Sequence, residues 1–233
     1  MKKNLLLLLV CALFAVTTFS QVNNIGGYLN FSPTIPMGAY QDNISRPAWG
    51  GRAGVFIQPY KRIPLKIGIE GGYVTQGFKT QYYNSIGFSQ FSDYRVRARL
   101  NIFSALVNLR LQQTPGKKLW YPLLEIQAGW NNFYGTNKLQ GRNPTNNYSW
   151  QKIDRTSTRG YWGFTYGGTV GVDISLNRKE QDVFIECKIA YLKGNKTKYY
   201  TNPSVDAAGN ASFTLNESET DMLIPQIGLK FGF

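Results

Sequence analysis

Histidine is absent from all 233 residues of the chain. This absence excludes catalytic triads and general bases that depend on histidine, and it removes the commonest metal ligand of proteins. Cysteine is nearly as scarce: the sequence has only Cys11 and Cys187. Because Cys11 lies in a segment that we expect to be removed, no intramolecular disulfide is predicted. We therefore predict that the protein is not an enzyme and binds neither a metal nor a cofactor.

Long apolar runs are also lacking. The longest, Leu5–Val16, is shorter than the roughly 18 residues of a membrane-spanning helix. It follows the pair Lys2-Lys3 and precedes small residues up to Ser20, which is the pattern of a secretory signal peptide. We expect residues 1–20 to be cleaved and residues 21–233 to form a single exported domain.

Acidic residues are few. The chain has 13 Asp and Glu against 26 Lys and Arg, which gives a formal net charge of +13. Such an excess favours either a nucleic acid or a membrane with anionic headgroups as the partner. Because an exported protein rarely meets nucleic acid, we expect the membrane and no nucleic-acid partner. A solvated surface without a specific partner is the alternative.

The sequence does contain alternation with a period of two residues, which is typical of β-strands with two different faces. In the stretch 162–176, Trp162, Phe164 and Val170 share an apolar face, and the other face is small or polar. Eight such stretches occur, at about 24–34, 49–60, 65–73, 94–112, 124–131, 162–176, 183–191 and 223–233. The fourth changes phase, so we expect a bulge near Phe103-Ser104.

The connections between these stretches alternate in length. The short ones are 61–63, 114–118 and 177–181, and the long, polar ones are about 36–48, 82–93, 135–158 and 200–220. This is the plan of an outer-membrane barrel with tight periplasmic turns and extended external loops. The predicted fold is all-β: an eight-stranded antiparallel transmembrane β-barrel with up-and-down connections.

Period two alone does not say which face is outside. The polar faces combine glycine with charges of both signs, as a crowded barrel interior requires, and aromatic residues lie on the apolar face near the long connections: Tyr73, Trp130, Trp162 and Tyr191. These resemble an interfacial girdle. We therefore expect the apolar face to point outward into lipid; a soluble barrel would have the opposite arrangement.

The last stretch, LIPQIGLKFGF, resembles the carboxy-terminal signature of outer-membrane β-barrels, an alternating strand that ends in Phe. The segments FSPTIPMGAY (31–40) and FTYGG (164–168) are similar to the first and sixth strands of small porin-family or OmpA-like barrels of Gram-negative bacteria. The resemblance implies an integral protein of the bacterial outer membrane, with lipopolysaccharide among its lipid partners. It also implies that Phe231 and Phe233 form a signal for the barrel-assembly machinery. It implies no particular activity.

Nine charged residues are expected to form an ion-pair network in the barrel interior: Glu70, Arg95, Arg97, Arg99, Glu125, Asp173, Glu186, Lys188 and Lys230. Buried charges must be paired or they cost several kcal/mol each. Two alternatives are a carboxylate pair that acts as general acid and base and an anion-selective constriction lined by the arginines of 95–99. Since a ring of eight strands leaves only a space that side chains fill, pairing is the preferred interpretation.

The long connections carry aromatic and basic residues together. Candidates for contacts with glycans, lipopolysaccharide phosphates or an envelope protein are Arg142, Tyr148, Trp150, Lys152 and Arg155. Variable loop decoration is the alternative interpretation. The sequence thus predicts a non-enzymatic barrel with a structural or surface-interaction role through its external loops. The alternatives are a narrow anion-preferring channel, an accessory subunit of a secretion or surface-attachment complex, and a soluble periplasmic ligand-binding barrel.

Overall fold

The computed structural model describes residues 25–44, 46–59, 63–84, 93–113, 118–142, 149–176, 183–205 and 211–232. The expected signal peptide, Tyr148 and Phe233 lie outside these ranges. The predictions made for them therefore stay predictions.

Strands make up most of the described chain. The elements are β1 Ile25–Phe31, β2 Ile35–Pro36, α1 Gly38–Asn43, β3 Trp49–Ile57, β4 Leu65–Asn84, β5 Asp93–Gln112, β6 Trp120–Arg142, β7 Trp150–Ser157, β8 Tyr161–Ser175, β9 Val183–Gly194, β10 Thr197–Val205, β11 Ala211–Ser218 and β12 Met222–Phe231. Within the described residues, no helix has the length and apolar character needed to cross a bilayer.

Eight strand positions form a closed antiparallel barrel. The order is β1-β3-β4-β5-β6-β8-β9-β12, and β12 pairs back onto β1. In that closing pair Gly27 lies opposite Phe231 and Phe31 lies opposite Ile227. The short strand β2 continues the position of β1, because Ile35 also pairs with β12. The predicted eight-stranded up-and-down barrel is confirmed.

The apolar faces of the strands point outward. On β12, Met222, Ile224 and Lys230 are buried, whereas Ile227 and Leu229 are 55% and 43% exposed. The same holds elsewhere on the barrel, where Ile67 and Val170 are 43% and 59% exposed and Glu70 is 3% exposed. This is the reverse of a soluble barrel, which turns its apolar residues inward.

An aromatic belt surrounds the barrel toward the end where the long connections lie, which we call the long-loop end. Tyr73 lies opposite Phe103, and Trp130 lies opposite Phe164. The rings of Trp130 and Phe164 meet edge to face at 5.8 Å, and Trp162 and Tyr191 complete the predicted set on the exposed face. The belt therefore marks one border of the apolar band.

Three barrel strands, β4, β5 and β6, continue beyond the belt and form a sheet extension together with β7. It consists of Phe78–Asn84 of β4, Asp93–Arg99 of β5, Thr136–Arg142 of β6 and the whole of β7, which pairs with β6. The expectation that 82–93 and 135–158 are polar loops was therefore wrong at their ends. The fourth long connection is not a plain loop either, since it contains the β10–β11 hairpin.

The expected bulge in β5 was also wrong. This strand pairs with β6 without interruption, and its even-numbered residues stay buried from Val96 to Gln112. The bulge lies on the neighbouring strand β4, where Gln76 and Gly77 together oppose the single residue Leu100. The phase change in the sequence has another cause: beyond the belt, apolar residues face inward.

Gly228 is required for ring closure. A Cβ at this position would lie 2.0 Å from the carbonyl oxygen of Leu29 on β1, so a side chain would force the closing strands apart. We expect Gly228→Ala to lower the free energy of unfolding by about 1–3 kcal/mol, the usual cost of overpacking. Urea titration in detergent micelles, followed by heat-modifiable gel mobility, measures the change.

Gly71→Ala is the matched control, because a Cβ there has no atom within 4 Å. It should unfold within about 0.5 kcal/mol of the native protein, as surface substitutions usually do. Equal stability of the two variants would contradict the assigned closing register.

Candidate functional site

The interior between the belt and the short turns is filled by a charge network. Arg110 forms ion pairs with Glu125 and with Glu186, the latter at 2.8 Å. The ammonium of Lys188 lies 3.1 Å from Glu186 and 3.6 Å from both Glu70 and Glu125. All five side chains are almost completely buried. Two cations thus face three carboxylates, and Arg52, which lies 2.9 Å from Glu70, is the third cation that balances the charge.

A second cluster lies nearer the short turns. Lys230 pairs with Asp173 and donates to Gln112 at 2.8 Å. Lys66 donates to the same Gln112 oxygen at 3.1 Å, and the Gln112 amide donates in turn to Asp173. Aromatic rings wall both clusters, as where the Tyr28 hydroxyl donates to Glu70 at 2.7 Å. Side chains therefore occupy the interior at this level.

The long-loop end of the interior is closed by aromatic residues. Tyr40 of α1 packs edge to face on Tyr199 of β10, with ring centroids 4.8 Å apart. Phe133 of β6 lies about 6 Å from both rings, and all three side chains are buried. Among the described residues, this plug and the charge network leave the barrel filled rather than open.

The structure places six of the nine predicted network residues inside the barrel: Glu70, Glu125, Asp173, Glu186, Lys188 and Lys230. Sequence reasoning missed three interior cations: Arg52, Lys66 and Arg110. Arg110 shares the inward phase of Asn108 and Gln112. Its role is evident once β5 is read without a bulge.

The arginines Arg95, Arg97 and Arg99 do not face the interior, which corrects the prediction. They alternate with Val96 and Ala98, which are buried on the inner face. The inner partners of the carboxylates are Arg52 and Arg110 instead. Beyond the belt the outer face of β5 carries charged residues, and its apolar residues turn inward.

These arginines belong to a basic face on the outer side of the sheet extension. Its members are Arg95, Arg97, Arg99, Lys138, Lys152 and Arg155. The residues form two rows across β5, β6 and β7. The first row is Arg95, Gln140 and Lys152, and the second row is Arg97, Lys138 and Arg155. Arg99 lies at the level nearest the belt.

Within the described ranges, the basic face has no internal neutralisation. No carboxylate of the described residues lies within ion-pair distance of its six cations, since Asp93 pairs with Arg142 at 3.6 Å and Asp154 accepts from the backbone of Arg155. The pKa of Lys138 is lowered, mainly by partial burial and to a smaller extent by the positive charges of the neighbouring arginines and Lys152. The Nε of Arg97 is buried without a hydrogen-bond partner in the described part of the chain.

Aromatic rings hold one edge of the basic face. The Arg95 guanidinium stacks 4.2 Å from the Trp150 ring and donates through Nε to Gln140 at 2.9 Å. Trp150 also contacts Tyr82, with centroids 6.0 Å apart. Such stacking fixes a guanidinium and leaves its remaining N–H groups available.

The predicted loop contacts are thus partly strand residues. Trp150, Lys152 and Arg155 all lie on β7, and Arg142 lies at the end of β6. Guanidinium and ammonium groups in such an array bind phosphate, sulfate or carboxylate through charge-assisted hydrogen bonds. The basic face is therefore the candidate functional site.

Comparison with solved structures finds similar barrels. A Neisserial surface protein A structure matches over 90% of this chain and 97% of its own, with 8% identity and a TM-score of 0.47. Outer membrane protein W of E. coli matches over 91% and 98%, with 13% identity and a TM-score of 0.44. The attachment invasion locus protein of Yersinia pestis, in complex with the heparin analogue sucrose octasulfate, matches over 90% and 97%, with 8% identity and a TM-score of 0.41.

No protein-family model matches the sequence, and none of the curated proteins matches it. The barrel of this chain is established by its own strand pairing, which runs from β1 round to β12 and closes.

Lys188 balances three carboxylates, so its removal leaves them under-compensated in a buried setting. We expect Lys188→Met to lower the free energy of unfolding by about 3–5 kcal/mol, measured by urea titration in micelles. The control is Lys193→Met on the exposed part of the same strand, where the change should stay within about 0.5 kcal/mol. A Lys188→Met variant as stable as this control would show that Lys188 does not balance the network.

The filled interior also predicts the electrical behaviour of the barrel. Planar-bilayer recordings of the purified protein should show no steady single-channel steps, because the charge network and the aromatic plug occupy the lumen. Steady anion-selective steps would contradict the closed lumen.

Proposed function

We propose that this chain is an integral, non-enzymatic β-barrel protein of the bacterial outer membrane. Its short turns lie in the periplasm, its sheet extension lies outside the cell, and Phe231 belongs to the assembly signal. The exposed apolar band supports this location. On β5 the band runs from Phe103 to Leu111, about 27 Å along the strand and about 21 Å along the membrane normal at a tilt near 40°.

We further propose that the basic face binds the phosphate groups of lipopolysaccharide in the outer leaflet. The observation that carries this proposal is the position of six cations directly beyond the aromatic belt, none of them paired with a carboxylate in the part of the chain that the structure describes. Arg99 lies four residues past Phe103, about 13 Å along the strand, or about 10 Å higher in the membrane frame. This is the level of lipid headgroups, because aromatic belts mark the border between acyl chains and headgroups.

The chemistry of the face fits a phosphate ligand. Arginine presents planar N–H groups that match phosphate oxygens in pairs. A structural role follows, since lipids held on an extension that stands above the bilayer link the barrel firmly to the outer leaflet.

The test compares charge-matched variants. The triple variant Arg95→Gln, Arg97→Gln and Arg99→Gln should bind diphosphoryl lipid A at least tenfold more weakly than the native protein, because it loses three cations that contact phosphate. Thermophoresis of labelled protein in zwitterionic micelles measures the dissociation constant, and the native affinity should fall as salt is raised.

The control triple variant removes the same charge elsewhere: Lys193→Gln, Lys196→Gln and Lys198→Gln, three exposed lysines at the end of β9 and on the β10 side. It should bind lipid A within about twofold of the native protein. Monophosphoryl lipid A should bind the native protein more weakly than the diphosphoryl form. If the two triple variants lost lipid A affinity to the same extent, the loss would follow from net charge alone, which would contradict a phosphate site on the basic face.

A further inference from the structure

A polar groove lies at the mouth of the barrel, on the inner side of the sheet extension. It is a cavity of about 490 Å³ between the end of α1, the bulge of β4, β5 and the bend of β10. Its volume is in the range of roughly 300–1,000 Å³ that is typical of small-molecule sites. We propose that this mouth groove binds a saccharide that carries a carboxylate.

Two backbone irregularities converge on the mouth groove. The first is the bulge at Gln76-Gly77, where Gly77 has a φ of +113°. The second is a register shift of the β10–β11 hairpin between Thr201 and Ser204, and Asn202 there adopts a φ of +46°. Bulges re-aim side chains beside functional sites, and asparagine is a non-glycine residue that adopts the left-handed region readily in tight bends.

The β4 bulge brings a cation into the mouth groove. Before the bulge, odd-numbered residues of β4 such as Tyr73 face outward. After it, Lys79 lies opposite Ala98, which is on the buried face of β5. The extra residue thus turns the Lys79 ammonium from the outer side of the sheet to the side of the groove.

The charge of the mouth groove selects an anion. Arg46 and Lys79 line it, and its lining among the described residues includes no acidic side chain. Neither cation has a carboxylate of the described residues within ion-pair distance. An anionic ligand would therefore meet two cations without displacing an internal partner.

The remaining lining suits a sugar rather than a bare anion. The Nε2 of Gln76 is buried without a partner among the described residues, while its oxygen accepts from the Tyr40 hydroxyl. This amide is an oriented donor for a sugar hydroxyl. Ile44, Leu100 and Pro203 add apolar surface on which the C–H face of a pyranose ring can pack. An inorganic phosphate would make no use of this apolar wall.

The test uses glucuronate as the probe and glucose as its uncharged counterpart. The protein is held in zwitterionic micelles, so the measurement does not depend on the orientation proposed for the membrane. Saturation-transfer NMR should detect glucuronate binding to the native protein, with glucose at least tenfold weaker because it lacks the charge-assisted hydrogen bonds.

Three variants locate the site. Lys79→Gln and Arg46→Gln should each weaken glucuronate binding about tenfold, whereas Lys198→Gln, on the exposed side of β10, should leave it unchanged. The heat-modifiable band verifies folding of each variant. Absence of glucuronate binding to the folded native protein, equal binding of glucose, or unchanged affinity in both groove variants would overturn the proposal.

The mouth groove and the basic face are tested independently. At about 0.15 M salt, where charges about 10 Å apart are largely screened, the triple variant of Arg95, Arg97 and Arg99 should keep glucuronate binding, and Lys79→Gln should keep lipid A binding. A native protein that binds glucuronate but not lipid A would refute the proposed function and leave the groove intact. Loss of glucuronate binding in the arginine variant would show that the groove is not the glucuronate site.

Discussion

Neutralisation of buried charge is the constraint on which the barrel depends. The carboxylates of Glu70, Glu125 and Glu186 and the cations that pair with them lie in a space closed to water, where an unpaired charge costs several kcal/mol. The interior network as a whole draws residues from all eight strand positions, from Asn30 of β1, which donates to Glu186 at 2.7 Å, to Lys230 of β12, which pairs with Asp173. Only the closed ring brings these groups together, so ring closure and charge pairing stabilise each other.

The aromatic belt divides the strands into two regimes of polarity. Between the belt and the short turns, apolar residues face outward and charged residues face inward, as on Leu109 and Arg110 of β5. Beyond the belt the same strand places Val96 inward and Arg97 outward. One unbroken strand therefore carries two opposite patterns of polarity, which fits the proposed position, where the surroundings of its outer face change from hydrocarbon to water and headgroups.

Much of this architecture was predictable from the sequence, and the errors have a physical cause. Period two located the eight barrel strands and the inward carboxylates, since each needs only local alternation. The outward position of Arg97 was not predictable this way, because a bulge and a reversal of polarity produce the same change of phase. Arg52 was missed because β3 is rich in glycine and shows little alternation. The strand β10 shows no apolar alternation, and in β11 only Ala211, Phe213 and Leu215 alternate as apolar residues in the sequence, which is too short a run to mark a strand.

The two faces of the sheet extension are separated by a single layer of backbone. Arg99 on the basic face and Leu100 in the mouth groove are consecutive residues, so side chains on opposite faces lie about 10 Å apart, close to the screening distance of physiological salt. A negative charge that settles on one face reduces the positive potential on the other. The sheet is thus thin enough to make its two sides electrostatic competitors, with an antagonism that strengthens as ionic strength falls.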